Sequence, residues 1–183
     1  MRVSRGFTLV ELLVVIAIIG ILASIVMVGL GGAKQKSRDS KRVADIKNIQ
    51  LALSLYYNDN LQYPTNLSSL VSGNYLPVLP RDPKATTVCT AGTETGCYKY
   101  YGYRSGAGAC NSTNVPVLYH LGAVFEETTN SALQDDVDYT FSGYAACNNG
   151  VDANGFSGLS TDCGVTAGTP QPGGTELCYS QKP

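Results

Sequence analysis

Between Leu12 and Leu30 the chain reads LLVVIAIIGILASIVMVGL, 19 residues without a charge, and this stretch restricts the fold more than any other. It is apolar on all sides and has no polar face to turn to water. As a helix it rises about 28 Å, close to the hydrocarbon thickness of a bilayer at about 30 Å. A secretory signal has a shorter apolar core that ends at a small-residue site. Here no such site followed by a polar break occurs until well past membrane depth. The stretch therefore predicts a membrane-inserted helix, with an ordinary signal anchor as the simpler alternative.

Two features depart from an ordinary anchor. Glu11 stands at the very start of the apolar run, where an ionised carboxylate in hydrocarbon costs about 2.5–3.5 kcal/mol. Such a group either snorkels to the interface or needs a partner. The second feature is orientation. Only Arg2 and Arg5 precede the run, whereas Lys34, Lys36, Arg38, Lys41, Arg42 and Lys47 follow it, against Asp39 and Asp45. Taken alone, the positive-inside rule directs the remainder of the chain into the cytoplasm.

The cysteines argue the opposite. Cys89, Cys97, Cys110, Cys147, Cys163 and Cys178 all lie from residue 89 onward, without CxxC spacing and with His120 as the sole histidine. An even set in a Gly-, Thr- and Asn-rich region reads as disulfides, which persist in an oxidising compartment. The expected location is extracytoplasmic. Many pairings are open; local staples Cys89–Cys97 and Cys163–Cys178 would leave Cys110–Cys147 as the long link.

Beyond the membrane segment the helical pattern continues. Val43, Ile46, Ile49, Leu53, Tyr56 and Tyr57 recur at steps of three and four with Lys41, Arg42, Asp45, Lys47 and Asn48 between them, an amphipathic pattern. Asn58-Asp59-Asn60 followed by Pro64 provides the stop. A helix from Phe7 to about Asn58 would be about 78 Å long, more than a compact domain of this size needs. Such a helix serves assembly.

The run Arg5-Gly6-Phe7-Thr8-Leu9-Val10-Glu11-Leu12-Leu13-Val14-Val15 resembles the prepilin signature shared by type IV pilins, type II secretion pseudopilins and competence pilins. The resemblance extends over about 80 residues, through Ala52–Tyr57, Tyr63-Pro64, Leu67, Leu70, Tyr75-Leu76, Leu79-Pro80 and Asp82-Pro83. It implies a leader at residues 1–6, cleavage between Gly6 and Phe7 by a membrane prepilin peptidase, and N-methylation of Phe7. It also implies that Glu11 pairs with the terminal amine of a neighbouring subunit during filament assembly. Residues 7–30 would form the transmembrane and filament-core helix, 31–60 its amphipathic half, and 61–183 a globular head. The expected fold class is α+β, the pilin fold, with a long N-terminal helix on a small antiparallel sheet and disulfide-stapled loops.

Two departures from the family pattern stand out. No proline occurs between Phe7 and Asn60, although Gly29, Gly31 and Gly32 offer a comparable weak point. No Trp follows Asp82-Pro83, since the chain has none, which tilts the reading from a secretion pseudopilin towards a pilus or competence pilin.

In the head, Cys97–Arg104, Pro116–Phe125 and Val137–Ala146 read as strands, the last two by alternation. His120 falls on the face opposite Tyr119 and reads as a structural histidine. From Asn148 to Pro172 the composition predicts loop. Asp152, Asn154 and Asp162 offer oxygen ligands there, but without EF-hand spacing a solvated loop outranks a calcium site. Asn66-Leu67-Ser68 and Asn111-Ser112-Thr113 are glycosylation sequons.

These readings converge on a filament subunit that needs no cofactor and catalyses nothing. Its expected partners are copies of itself or related pilins, the prepilin peptidase, the inner-membrane assembly machinery and the membrane. A DNA-uptake role would need a basic surface, and beyond Ser105 there are eight acids against Lys182 alone, a net of −7. An anchored enzyme would need a nucleophile and a base, which one histidine and paired cysteines do not supply.

Overall fold

The computed structural model describes residues 7–86, 98–105, 110, 115–134, 144–147 and 178–183. One helix, α1, runs Leu9–Asn60 without interruption through Gly20, Gly29, Gly31 and Gly32. The chain divides into two units, Met1–Ser37 and Arg38–Pro183.

In the first unit the apolar side chains of α1 have nothing to pack against among the described residues. Leu9 is 80% exposed and Leu30 48%, with the described large apolar residues between them comparably open. Ser24, the one hydroxyl in the charge-free stretch, donates to the Ile21 carbonyl at 2.7 Å. The hydroxyl is thereby satisfied without water, as a bilayer requires. The helix is long and apolar enough to cross a membrane.

In the second unit the three-and-four spacing does what the sequence predicts. Ile46, Ile49 and Leu53 are fully buried, and Val43, Tyr56 and Tyr57 flank them. The helix stops where the asparagines predict, but the residue that turns the chain is Leu61. It takes a left-handed conformation (φ 55°), and its N–H donates to the Tyr57 carbonyl at 2.7 Å, a C-terminal cap made without glycine. A short helix, α2 (Ser68–Ser72), follows, and Tyr63, Leu67 and Leu70 join the core.

Among the described residues the head carries four strands, β1 (Lys99–Ser105), β2 (Leu118–Val124), β3 (Tyr144–Ala146) and β4 (Cys178–Gln181), in the order β3-β1-β2-β4. All neighbouring pairs are antiparallel. β2 and β3 fall within the segments expected from the sequence and β1 overruns its segment by one residue, Ser105, although only the last three residues of Val137–Ala146 are described as strand. The fourth, β4, is an addition: it is only four residues long, too short for alternation to be read.

Both faces of the sheet are buried. Tyr98, Tyr100, Tyr119, Leu121, Ala123, Phe125 and Tyr179 pack with α1, while Tyr101, Tyr103 and Cys178 form a second apolar cluster. His120, opposite Tyr101 in the register, is completely buried; the alternation identified its face, and that face is covered rather than wet.

The passage from helix to sheet is fastened to β1. Tyr100 Oη donates to the Pro64 carbonyl at 2.7 Å, and Tyr63 N–H to the Pro116 carbonyl at 2.9 Å. Gly102 lies beneath this passage: a Cβ there would come within 3.1 Å of both the Pro64 oxygen and Pro116. Prolines 64 and 116 thus pin the passage against the sheet, while Tyr63, Leu67 and Leu70 pack with the helix residues of the core. Cys110 and Cys147 are joined in a disulfide, and Cys147 N–H donates to the Gly102 carbonyl at 2.7 Å, so the link fixes the β3 edge to β1. Cys178 is also disulfide-bonded. Cys89, Cys97 and Cys163 lie outside the described residues.

Candidate assembly segment and head-fixing ion cluster

The residues expected to carry assembly sit at the start of α1. Phe7 precedes the helix and is 86% exposed; Gly6 lies outside the described residues. Thr8 N–H and Thr8 Oγ1 both donate to Glu11 Oε2 at 2.8 Å, and Glu11 N–H reaches back to Thr8 Oγ1 at 3.3 Å. This is a capping box, in which Thr8 caps the helix and the glutamate three residues on closes the reciprocal bond. The Thr-Leu-Val-Glu spacing that produces it was readable in the sequence but overlooked there. Glu11 has a local partner within its own chain, and the apolar surface beginning at Leu12 has none among the described residues.

The second site was not anticipated. Arg42, expected on the polar flank of α1, is only 2% exposed, and Asp39 is fully buried. Arg42 Nη1 donates to Asp39 Oδ1 at 2.5 Å and to Glu126 Oε1 at 3.0 Å. Its Nε and Nη2 form a two-pronged pair with Asp82 at 2.6 and 3.0 Å. Arg38 grips Glu126 with two bonds of 2.6 Å, and Lys84 approaches it at 3.7 Å. Asp39 also accepts the backbone N–H groups of Glu126 and Glu127 at 3.0–3.2 Å.

Three chain segments therefore meet around one guanidinium: the helix, the Asp82-Pro83 turn and the residues following β2. Planar, forked charge pairing of this kind suits arginine and not lysine. Arg38, with Arg42 and Lys84 behind it, outweighs burial and holds the Glu126 carboxyl down at about 2. Burial opposes ionisation of Asp82, but Arg42 and the Lys84 N–H outweigh it and keep the carboxyl below its usual range. Nearby, Tyr98 Oη donates to Asp45 at 2.6 Å; burial and that carboxylate push the phenol pKa upwards.

The Asp39–Arg42 spacing of three on a helix was the available sequence signal for this cluster. Its carboxylate partners lie 40 and 84 residues away from Arg42 and gave none. Among the described residues no group of His, Cys, Asp and Glu side chains is arranged to hold a metal; Asp152, Asn154 and Asp162 lie outside them.

Residues 1–27 match the prokaryotic N-terminal methylation motif. The type II secretion system core protein G of Klebsiella pneumoniae is 41% identical over 99 residues, covering 45% of this chain and 71% of that protein. The chain belongs to the type IV pilin and type II secretion pseudopilin family. The Escherichia coli core protein G is 49% identical over 77 residues, 42% of this chain. The chain spans about half the length of that relative, 53%. The type IV wide pilus major component PilA4 of Thermus thermophilus is 39% identical over 72 residues, covering 39% of this chain and 55% of that protein. No solved structure matches the chain.

Proposed function

We propose that this chain is a structural subunit of a type IV pilus-like filament, stored in the inner membrane and assembled through the N-terminal part of α1, with an extracytoplasmic head. The observation that carries this reading is the helical surface from Leu12 to Leu30, apolar all round and exposed at its described residues. Transferring such a surface from lipid to the equivalent helices of other copies keeps it out of water throughout. A head-to-tail contact that does not close generates a fibre.

In this mechanism the prepilin peptidase cleaves between Gly6 and Phe7, the Phe7 amine is methylated, and Glu11 exchanges its bonds to Thr8 for the Phe7 amine of a neighbouring copy. Pairing in a low-dielectric fibre core strongly favours a placed charge over an unplaced one, so this exchange sets axial registry. The head requires only a fixed attachment to α1, which the Arg42 cluster supplies.

Intact mass and N-terminal sequencing of the membrane-extracted protein, together with a Glu11→Val variant in a sheared-filament assay, test the reading. A mature terminus at N-methylated Phe7 and loss of filaments on substitution are expected. An unprocessed terminus would refute it. The identity shared with core protein G favours a second reading, a secretion pseudopilin, despite the missing Trp. Deleting the chain distinguishes the two: a pseudopilin deletion abolishes release of exported proteins into the medium, whereas a pilin deletion abolishes surface fibres.

A further inference from the structure

Leu61 stands in a conformation that is harder for a leucine than for a glycine. Its φ of 55° lies in the left-handed region, where a Cβ crowds the backbone and where helix C-termini commonly carry glycine. No core contact offsets this, since the residue is 75% exposed. An unfavourable backbone combined with an exposed apolar side chain points to a surface used for contact.

Two more leucines lie exposed on the last turns of α1. Leu51 is 63% and Leu55 47% exposed, and a spacing of four puts them on one face. It is not the face that enters the core, where Ile46, Ile49 and Leu53 are fully buried. One turn before Leu51, on the same side, stands Lys47, which is exposed and joins no ion pair among the described residues. Asp59, also exposed, lies just before Leu61. Its Oδ2 accepts the Tyr75 hydroxyl at 2.8 Å, and a carboxylate has room for further donors. The end of α1 thus carries two half-patches of opposite charge, Lys47 with Leu51 and Asp59 with Leu61. In each, the charge comes first and the leucine follows it along the chain. The charges are separated by about 18 Å of helix rise and the leucines by about 15 Å, a difference that a lysine stem absorbs.

We propose that this end of α1 is a lateral contact that takes a second copy of the chain. Asp59 and Leu61 of one copy seat on Lys47 and Leu51 of the next, with Leu55 beside them, at an axial offset of about 18 Å. The proposal rests on the reading that copies assemble into a filament. Copies drawn from one membrane stand parallel, and the shared order of charge and leucine lets parallel copies match both halves at a single offset. The halves are different surfaces, so the contact passes from copy to copy without closing. An exposed ion pair adds little strength, whereas like charges brought together are penalised. The pair therefore selects the offset, and the leucines supply the buried apolar area. A leucine at position 61 gains its burial only in the fibre.

The test produces the full chain in cells and compares the yield of sheared filaments with melting of the detergent-solubilised protein. Leu61→Gly is expected to melt at or above the wild-type temperature, to carry the same mature terminus, and to yield several-fold fewer filaments. Leu51→Gln should melt with the wild type and show the same loss of filaments. Lys47→Glu and Asp59→Lys should each lower the yield several-fold, and their combination should recover most of it. Leu51→Cys and Leu61→Cys, carried by separate copies produced together, should be joined into dimers in sheared filaments by a short bifunctional maleimide, and neither variant alone should be. Wild-type yield from both leucine variants, no recovery in the combined charge variant, or absence of the crosslink would each overturn the contact. Loss of filaments together with a fall in melting temperature in both leucine variants would overturn it in favour of a folding role. A wild-type chain that keeps an unprocessed terminus and forms no filaments would instead sink the filament reading, and the contact with it.

Discussion

Replacing Arg42 by Met removes the charge at the centre of the cluster while keeping much of the side-chain volume. Arg42 makes four bonds to three carboxylates, and its own side chain is 2% exposed. Removing one partner of a buried charge pair costs about 3–5 kcal/mol, because the remaining charge stays buried without compensation. Here the lower end applies. Asp39 keeps its bonds from the Glu126 and Glu127 backbones, Glu126 keeps Arg38, and Asp82 is 21% exposed. A loss of about 3 kcal/mol lowers Tm by about 6–12 °C for a head of this size. The chain has 12 Tyr and no Trp, so near-ultraviolet circular dichroism of the detergent-solubilised protein follows the tyrosine core directly. Acid adds a second signature. The Glu126 pKa is depressed to about 2 from an ordinary 4.5, so its stabilisation is complete above about pH 4.5 and is lost as the pH falls through about 2. Asp82 shifts in the same direction. Arg42→Met, with part of that linkage already removed, should lose less stability than the wild type between pH 4.5 and 2. Lys41→Met, which breaks a long 3.7 Å pair exposed on its lysine side and leaves Asp45 bonded to Tyr98, should cost about 0.5 kcal/mol or less. The reasoning fails if Arg42→Met melts within a degree or two of the wild type, or if Lys41→Met destabilises as much.

Three further outcomes are expected in the same assay. Leu61→Gly relieves a left-handed conformation at a site 75% exposed, and should raise stability by up to about 1 kcal/mol; a loss would show that the exposed leucine packs usefully. Gly102→Ala forces a methyl to within 3.1 Å of the Pro64 oxygen and of Pro116, and should cost about 1–3 kcal/mol. The double variant Cys110→Ser/Cys147→Ser opens a link across 37 residues and should cost about 4 kcal/mol, with wild-type and variant melting temperatures converging under reductant if this link dominates.

What could be read from the residues follows the reach of the interactions involved. Ile46, Ile49 and Leu53 announce a buried stripe because helical periodicity is local, and Tyr119, Leu121 and Ala123 do the same for a strand. The capping of Glu11 by Thr8 is equally local, and its spacing was present to be seen. The burial of Arg42 is different. It depends on Asp82 and Glu126, which arrive from separate segments, and an arginine on a helix flank looks the same whether it ends in water or in a cage of carboxylates. The double-sided burial of β2 also depends on what covers the sheet, so the alternation around His120 showed a face without showing its environment. β4 escaped because four residues carry too little pattern.

Two of the fastenings between α1 and the rest of the head lie at opposite ends of their shared length. The ion cluster engages Arg38, Asp39 and Arg42, and the tyrosine stack engages Tyr56 and Tyr57 through Tyr75 and Tyr63, with ring centres 5.2 and 4.7 Å apart. In mechanical terms this is a lap joint riveted at both ends. A pull along the helix loads both rivets and the apolar seam of Ile46, Ile49 and Leu53 together, in shear, instead of peeling them apart one after another. The joint's strength under tension is then the sum of its parts, which is the property required of an element through which a fibre is drawn or held.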